Sequence, residues 1–431
     1  MDTAQREEVV GTHPSPTVGH PEARTAAPAV PPLSMEPEPP DRDWASLALP
    51  GPGPGRIARL RRRLGRLRNE LRSVLEERGK RGSLKAWPVT LYLYHTTVCN
   101  LRCVFCEQAF GVPQLLMRPE VYARIRDELF EHVSELALTV MGEPLCAPSA
   151  FVGQLLDDAE RFDLRLEMTT NATLLGPDEQ LRRFLRRAHR INVSVDGATA
   201  ATYEALRPPA KWCKLTENLD RMARLRRELP VWRRPMMVFN YVLMRQNLDE
   251  LPAFVDLAAG WNAHAVHVMP LLEVDPSLRG ELIDPAEEGV RATLDRAMER
   301  ALARGVQLRV HGVELSPPPP RSVRERARRA WYRLMSSLRP TGAQGPYNLM
   351  QKVGHRFRVA KRECPFLWSK AYALLDGKVC TCCKHPGAFV TGDLMEEDFG
   401  GIWNGEQYRR LRETLNTDEV APACRDCYLL R

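Results

Sequence analysis

The chain has 431 residues, 44% of them hydrophobic, which is enough to bury a sizeable core and to build two folded domains. Its 11 cysteines are clustered rather than scattered, which argues against a secreted disulfide scaffold and for metal ligands in a reducing cytoplasm. The net charge of +8 has one source: Arg56 to Gly82 carries eleven Lys or Arg against three Glu, a difference of eight, so the rest of the chain is balanced and a generally basic surface is excluded.

The first 55 residues hold twelve of the 35 prolines and show no apolar periodicity, so 1–55 is expected to be disordered. Residues 56–85 follow as a basic amphipathic helix, because Ile57, Leu60, Leu64, Leu67, Leu71 and Leu75 recur at three or four residues. Docking on the body of the protein or a plain solvated face is the reading preferred for it, with peripheral association to an anionic membrane as the alternative. No aromatic interleaving supports a nucleic-acid partner.

From Thr90 the pattern alternates strand and helix. The strands are "VTLYLYH", "ELALTVM", "LRLEMTT", "RINVSVD", "MMVFNYV" and "HAVHVMP", with helices such as "RPEVYARIRDELFEHV" and "TENLDRMARLRREL" between them. About six such units predict an α/β fold, a partial (β/α)6 TIM-type barrel over 86–315, with functional residues at the carboxyl ends of the strands. The run Pro317 to Pro320 and the arginines after it mark 316–360 as a linker or helical insert, and a cysteine-rich domain occupies 361–431. The chain starts "MDTAQREEVV", and its most apolar stretch is broken by Asp256, Asn262, His264 and His267, so no signal peptide or spanning helix is read and a cytoplasmic protein is expected.

Directly after the first strand stands "CNLRCVFC", with Cys99, Cys103 and Cys106. A structural zinc site takes four ligands and a disulfide takes two, whereas three thiolates on a four-iron cluster leave one iron open. This CxxxCxxC pattern resembles that of the radical S-adenosylmethionine (SAM) superfamily. The resemblance implies a [4Fe-4S] cluster whose free iron chelates the amino and carboxylate groups of SAM, and whose electron cleaves SAM to methionine and a 5′-deoxyadenosyl radical that takes hydrogen from substrate. It also assigns cofactor-binding positions: Phe105 near adenine, Gly142, Glu143 and Pro144 of "MGEP", Asn171 of "TTNATLL", and Ser194 and Asp196 of "INVSVDG". Met141 and Ala172 stand where the family has glycine. Period two independently puts Asn192, Ser194 and Asp196 on one strand face, pointing into the barrel.

The tail, with Cys364, Cys380, Cys382, Cys383, Cys424 and Cys427, resembles the SPASM/twitch extension that carries auxiliary clusters. Six cysteines suit one auxiliary [4Fe-4S] cluster on Cys364, Cys382, Cys424 and Cys427, with Cys380 and Cys383 as alternates; by thiol chemistry alone tetrahedral zinc would fit as well. Cys146 and Cys213 stand alone and read as structural. The resemblance implies an oxidoreductase served by an external electron donor of the flavodoxin or ferredoxin type. Tyr92, Tyr94, His95, His264 and His267 are candidate bases. The expected substrate is a small molecule such as a sugar or aminocyclitol, oxidised or epimerised, with modification of a ribosomal peptide as the alternative. A non-catalytic iron–sulfur electron carrier or zinc-binding protein is the alternative of another class.

Overall fold

The computed structural model describes residues 44–49, 55–138, 141–272, 274–311, 313, 364, 366–382, 389–425 and 427. The expectations for 1–43, for 316–360 and for Cys383 lie outside the described residues.

The frame is one sheet. Strands β1 (Thr90–Leu93), β2 (Glu135–Leu138), β3 (Arg165–Thr170), β4 (Ala188–Ser194), β5 (Met236–Leu243), β6 (Ala265–Pro270) and β7 (Gln307–Val310) pair in sequence order, each parallel to the next. Helices α2 (Pro119–Leu129), α3 (Ser149–Arg161), α4 (Asp178–Arg187), α6 (Trp212–Arg227), α7 (Leu251–Gly260) and α8 (Glu288–Arg304) form the crossovers, and a short α5 (Ala200–Leu206) follows β4. β7, within "GVQLRVHGVEL", adds a seventh parallel strand to the six units read from the sequence.

Strand burial follows the pleat. Leu166, Met168, Ile191, Val193, Phe239, Val266 and Val268 are fully buried against the helices, while Glu167, Thr169, Arg190, Ser194, Asn240 and His267 alternate with them and are partly open. Each buried aliphatic side chain contributes about 1.5–3 kcal/mol, so the alternation fixes register and leaves the barrel interior polar.

The cysteine-rich tail is continuous with this sheet rather than a separate body. Strand β8 (Lys370–Ala373) pairs parallel with β1, and β9 (Lys378–Cys380) and β10 (Val390–Asp393) continue the sheet antiparallel. The seam is also stitched by side chains. Trp403 donates its indole N–H to the Ala86 carbonyl at 2.8 Å, and Asn404 exchanges hydrogen bonds with the Leu84 backbone. Arg412, 1% exposed, lies over the Trp403 and Tyr408 rings and donates to the carbonyls of Leu367, Trp403 and Gly82.

One expectation is corrected. Residues 44–49 are not loose: Trp44 is buried with its ring edge-on to Phe151 and Tyr122, and Arg126 and Arg161 donate to the carbonyls of Leu47 and Leu49. An indole is a large apolar surface, and one such side chain suffices to pin a short segment.

Helix α1 (Arg56–Arg78) docks on the body, but through its polar face. Arg62 donates to both carboxylate oxygens of Glu131 and to the Arg161 carbonyl. Arg63 pairs with Asp163, Arg66 donates to the carbonyls of Phe130 and Asp163, Asn69 exchanges two bonds with the Trp87 backbone, and Ser73 donates to the Trp368 carbonyl. Glu70 accepts from Ser134 at 2.7 Å. The partners are the unpaired carbonyls and acids of loops at the amino ends of the strands, which an apolar stripe could not satisfy. The leucine stripe consequently faces outward.

Burial works against the charge of Asp163, but hydrogen bonds and attraction from Arg63 and Arg187 prevail and hold its carboxyl down at about 2. A depressed carboxyl adds stability that is complete above its unfolded value and is lost as pH falls through its folded one, so this contribution is present at neutral pH and disappears between roughly pH 4 and pH 2. Asp163→Asn is expected to weaken α1 docking by about 1–3 kcal/mol, read as faster amide exchange through α1 at pH 7, with the difference from wild type vanishing near pH 2.

Candidate active site

Cys99, Cys103 and Cys106 lie on the loop that leaves the carboxyl end of β1. Two neighbouring strand ends shape that loop. From the β2 side, Gly142 sits at φ +89, and a Cβ there would stand 2.7 Å from the Thr97 carbonyl carbon and 2.8 Å from the Val98 oxygen, so glycine permits the close approach. The next residue, Glu143, donates its N–H to the Val98 carbonyl at 2.8 Å.

The Glu143 carboxylate, 2% exposed, turns inward. It accepts from Thr170 Oγ1 at 2.6 Å and from the Asn171 N–H at 2.7 Å, and burial pushes its pKa up to about 7. Asn171 accepts from the Thr173 N–H and hydroxyl and donates to Asn100 Oδ1 at 3.0 Å, which ties the turn after β3 to the cysteine loop. Asn100 Nδ2 donates to the Thr173 hydroxyl at 2.8 Å. Ala172, at φ +57, takes the left-handed conformation that glycine would adopt more easily.

Another buried acid supports the loop from the β4 side. Asp196 is 0% exposed: one oxygen accepts from the Val242 N–H at 2.6 Å and the other pairs with Arg207. Arg207, just past α5, places Nη1 3.6 Å from Cys103 Sγ and its guanidinium carbon 5.5 Å from the centre of the Phe105 ring. Sequence reasoning missed Arg207; the signal available was an arginine eleven residues after a strand-end aspartate.

Several sequence assignments shift accordingly. The carboxylates of Glu143 and Asp196 and the amide of Asn171 each bond protein groups, so besides the cofactor role the resemblance gives them they hold the site's shape. Pro144 presents its carbonyl 3.2 Å from His95 Nε2. Ser194 is half-buried on the row facing the barrel interior. Cys146 is not isolated, since its Sγ is 3.8 Å from Asn100 Oδ1 beside the cysteine loop, and Cys213 is exposed on α6.

Among the candidate bases, His95 is buried and stacked on Phe151, and burial lowers its pKa. His264 accepts from the Met237 N–H at the amino end of β6, far along the strand from the cysteine loop. Tyr92 stacks on Tyr372 and accepts from Lys370 Nζ at 3.1 Å, and Tyr94 is buried. His267 faces the interior, where burial and the charges of Arg190, His311 and Arg309 push its pKa down to about 3 and keep the imidazole neutral.

Groups around the thiols suit a cluster. Burial holds Cys103 up at about 11, against Arg207 and together with the charges of Asp196, Cys106 and Cys99. The Leu101 N–H points at Cys99 Sγ at 3.4 Å, a second donor aimed at a sulfur of this loop. The buried hydroxyl of Tyr203, near Cys103 and Arg207, has no hydrogen-bond partner among the described residues, as expected beside a cofactor. In the tail, burial raises Cys364 to about 12, followed by the charges of Cys382 and Cys424, so these three thiols are neighbours. Cys380 is fully buried on β9.

Comparison with known proteins agrees with this geometry. A model of the radical SAM superfamily matches residues 93–258, and one of an iron–sulfur cluster-binding domain (SPASM) matches 364–428. The chain is a radical SAM enzyme. Its cofactors are SAM, a [4Fe-4S] cluster and auxiliary iron–sulfur centres of the SPASM type.

Among its relatives, the AdoMet-dependent heme synthase of Methanosarcina barkeri is 26% identical over 343 residues, covering 77% of this chain and 86% of the relative. The mycofactocin maturase of Mycolicibacterium smegmatis is 26% identical over 352 residues, covering 79% and 75%. The structure of Streptococcus suis SuiB bound to S-adenosylmethionine superposes with TM-score 0.53 at 15% identity, over 81% of this chain and 73% of that one. That of anSMEcpe with bound AdoMet does so with TM-score 0.50 at 13% identity, over 79% and 87%. These solved structures share the partial barrel fold of this radical SAM enzyme, and no helix among its described residues is long and apolar enough to cross a membrane.

Because Arg207 carries positive charge to within 3.6 Å of Cys103 Sγ, it favours the reduced, more negative cluster. Arg207→Gln is expected to shift the potential of the SAM-binding cluster to more negative values, measured by EPR-monitored titration, with Arg207→Lys recovering part of the shift. Gly142→Ala forces the 97–98 backbone away and is expected to lower iron retention after reconstitution, measured as iron per chain.

Proposed function

We propose that this radical SAM enzyme is an oxidoreductase that removes hydrogen from a polar small molecule held inside the barrel. The observation that carries the reading is the interior itself. Glu167, Arg190, Asn192, Asn240, His267 and Arg309 project from four consecutive strands and the next, β3 to β7, into a space whose outer wall is aliphatic. Such a lining of hydrogen-bonding groups of both charges suits a densely functional polar substrate more than an apolar one.

Several side chains there are already oriented. Asn192 donates to Glu167 at 2.9 Å and accepts from Arg190 at 2.8 Å. Burial opposes the Glu167 charge, but His189, Arg190 and Asn192 outweigh it and hold the carboxyl down at about 2, so it is an anion at neutral pH. Neutral His267 is suited to accept a hydrogen bond from a substrate hydroxyl or to donate one, according to tautomer.

On this reading Cys99, Cys103 and Cys106 hold the SAM-binding cluster, and Phe105, Gly142, Glu143, Pro144, Asn171, Ser194 and Asp196 line or shape the SAM pocket. Bound there, cluster and SAM supply a 5′-deoxyadenosyl radical. Cys364, Cys382, Cys424 and Cys427 hold one auxiliary [4Fe-4S] cluster, which offers one-electron redox capacity. An external flavodoxin- or ferredoxin-type donor completes the set of partners. The small-molecule reading is supported by the heme synthase relative, aligned over 86% of its length. A peptide substrate is the second reading, supported by the mycofactocin maturase relative, aligned over 79% of this chain.

Anaerobic reconstitution, iron and sulfide counting and an assay for 5′-deoxyadenosine with SAM and dithionite test the chemistry. About eight irons are expected, falling by about four, with deoxyadenosine formation abolished, in the Cys99→Ala/Cys103→Ala/Cys106→Ala variant. Cys364→Ala should lose the other four and Cys380→Ala none. Cell extract that stimulates deoxyadenosine formation separates the substrate classes. Stimulation that survives exhaustive proteolysis and passes a filter excluding peptides supports the small molecule, and stimulation destroyed by protease supports the peptide. His267→Ala and Arg309→Ala are each expected to reduce that stimulation about tenfold.

A further inference from the structure

Helix α1 carries its apolar stripe on the outside. Ile57 is 72% exposed, Leu60 58%, Leu64 57% and Leu75 60%, with Leu67 at 36%. At 1.5 Å per residue the stripe runs about 27 Å. The orientation is enforced, since Arg62, Arg63, Arg66, Asn69, Glu70 and Ser73 all bind the body from the opposite face of the helix.

The place of α1 in the fold gives the stripe a direction. Its partners, Trp87, Phe130, Ser134 and Asp163, lie in the segments that lead into β1, β2 and β3, at the amino end of the barrel strands. The cysteine loop leaves from the carboxyl end. At the same amino end, the segment leading into β5 exposes Val231 at 63% and Trp232 at 73%. Two unrelated elements thus present large apolar side chains from one end of the barrel.

The charge of that end is one-sided. Arg59, Arg61 and Arg68 are exposed on α1, and Arg227 and Arg233 flank the Val231–Trp232 tip. Three acids beside these arginines are already paired: Glu131 with Arg62, Asp163 with Arg63 and Arg187, and Glu228 with Arg182. What remains outward is cationic, interspersed with leucine and one tryptophan.

We propose that the amino end of the barrel is a docking surface for an anionic lipid bilayer, with α1 lying in the headgroup layer and Trp232 as a second anchor. Leucines reach the acyl boundary, arginines meet lipid phosphates, and an indole suits the interface between them. A second copy of this chain is the poorer occupant, because it would bring Arg61 and Arg68, which flank the stripe, against their own kind. A single partner helix would engage the stripe but leave Trp232 unused. Docked this way, the enzyme keeps its cysteine loop on the side facing away from the membrane.

The test is flotation of the reconstituted full chain with vesicles of phosphatidylcholine alone and of phosphatidylcholine with about 30% phosphatidylglycerol, at low and high salt. Binding is expected only with the anionic vesicles and is weakened by salt. Leu60→Gln/Leu64→Gln, Arg59→Gln/Arg61→Gln/Arg68→Gln and Trp232→Ala should each lower the partition by about tenfold or more. Iron content and deoxyadenosine formation in solution report that each variant is folded. Absent flotation of the wild type, or equal flotation with neutral vesicles, overturns the proposal. So does a dimer in solution that Leu60→Gln/Leu64→Gln dissolves, or a loss of flotation that spares Trp232→Ala.

Discussion

The site depends on a carboxylate that is hidden from solvent. Glu143 draws together the loop after β1, through the Val98 carbonyl, and the turn after β3, through Thr170 and Asn171. Burying a carboxyl costs several kcal/mol unless its oxygens are satisfied, and here the end of β3 satisfies them while the backbone N–H of the same residue holds the loop after β1. That cost ensures that the segment after β2 cannot leave the turn after β3 without leaving the acid bare. Gly142 completes the constraint, because only a residue without a side chain lets the backbone pass within contact of Thr97.

Asp196 repeats the arrangement on the other side. Fully buried, it fastens β5 through the Val242 N–H and holds Arg207 over Phe105 with one guanidinium nitrogen against Cys103. Two acids that the family resemblance assigns to the cofactor thus also act through other residues: one on the path of the cysteine loop, the other on the charge around its central thiol. A loop that must present three thiols with one geometry needs such rigid support, because a cluster ligand set tolerates little displacement.

The two ends of the barrel are built for different partners. The carboxyl end gathers cysteines, amides and glycine, while the amino end is closed by α1 and by the first turn of the tail at Trp368, to which Ser73 donates. Because β8 pairs with β1, the tail and the barrel share one sheet, and Arg412 binds Leu367 and Gly82 together across the join. The described part of the tail is thereby joined to the barrel by paired strands as well as by side chains.

Much of this was legible in the sequence. Alternation of strand and helix, with a polar residue at every second position of "INVSVD", identified a parallel barrel and its inward row, because period two follows from the pleat itself. Three thiols at CxxxCxxC spacing carried the resemblance to the radical SAM superfamily, which implied the chemistry, because such a motif is contained in one short segment. What the sequence left open were contacts between distant segments: that Glu143 and Asp196 would spend their charge on Asn171 and Arg207, that Trp44 would pin residues taken for loose chain, and that β8 would join β1. The orientation of α1 belongs to the same class. Its periodicity established an apolar stripe, but whether that stripe faced the core or the outside depended on Glu131, Asp163 and the bare carbonyls of loops far along the chain, which outbid the leucines for the inner side once the barrel had assembled.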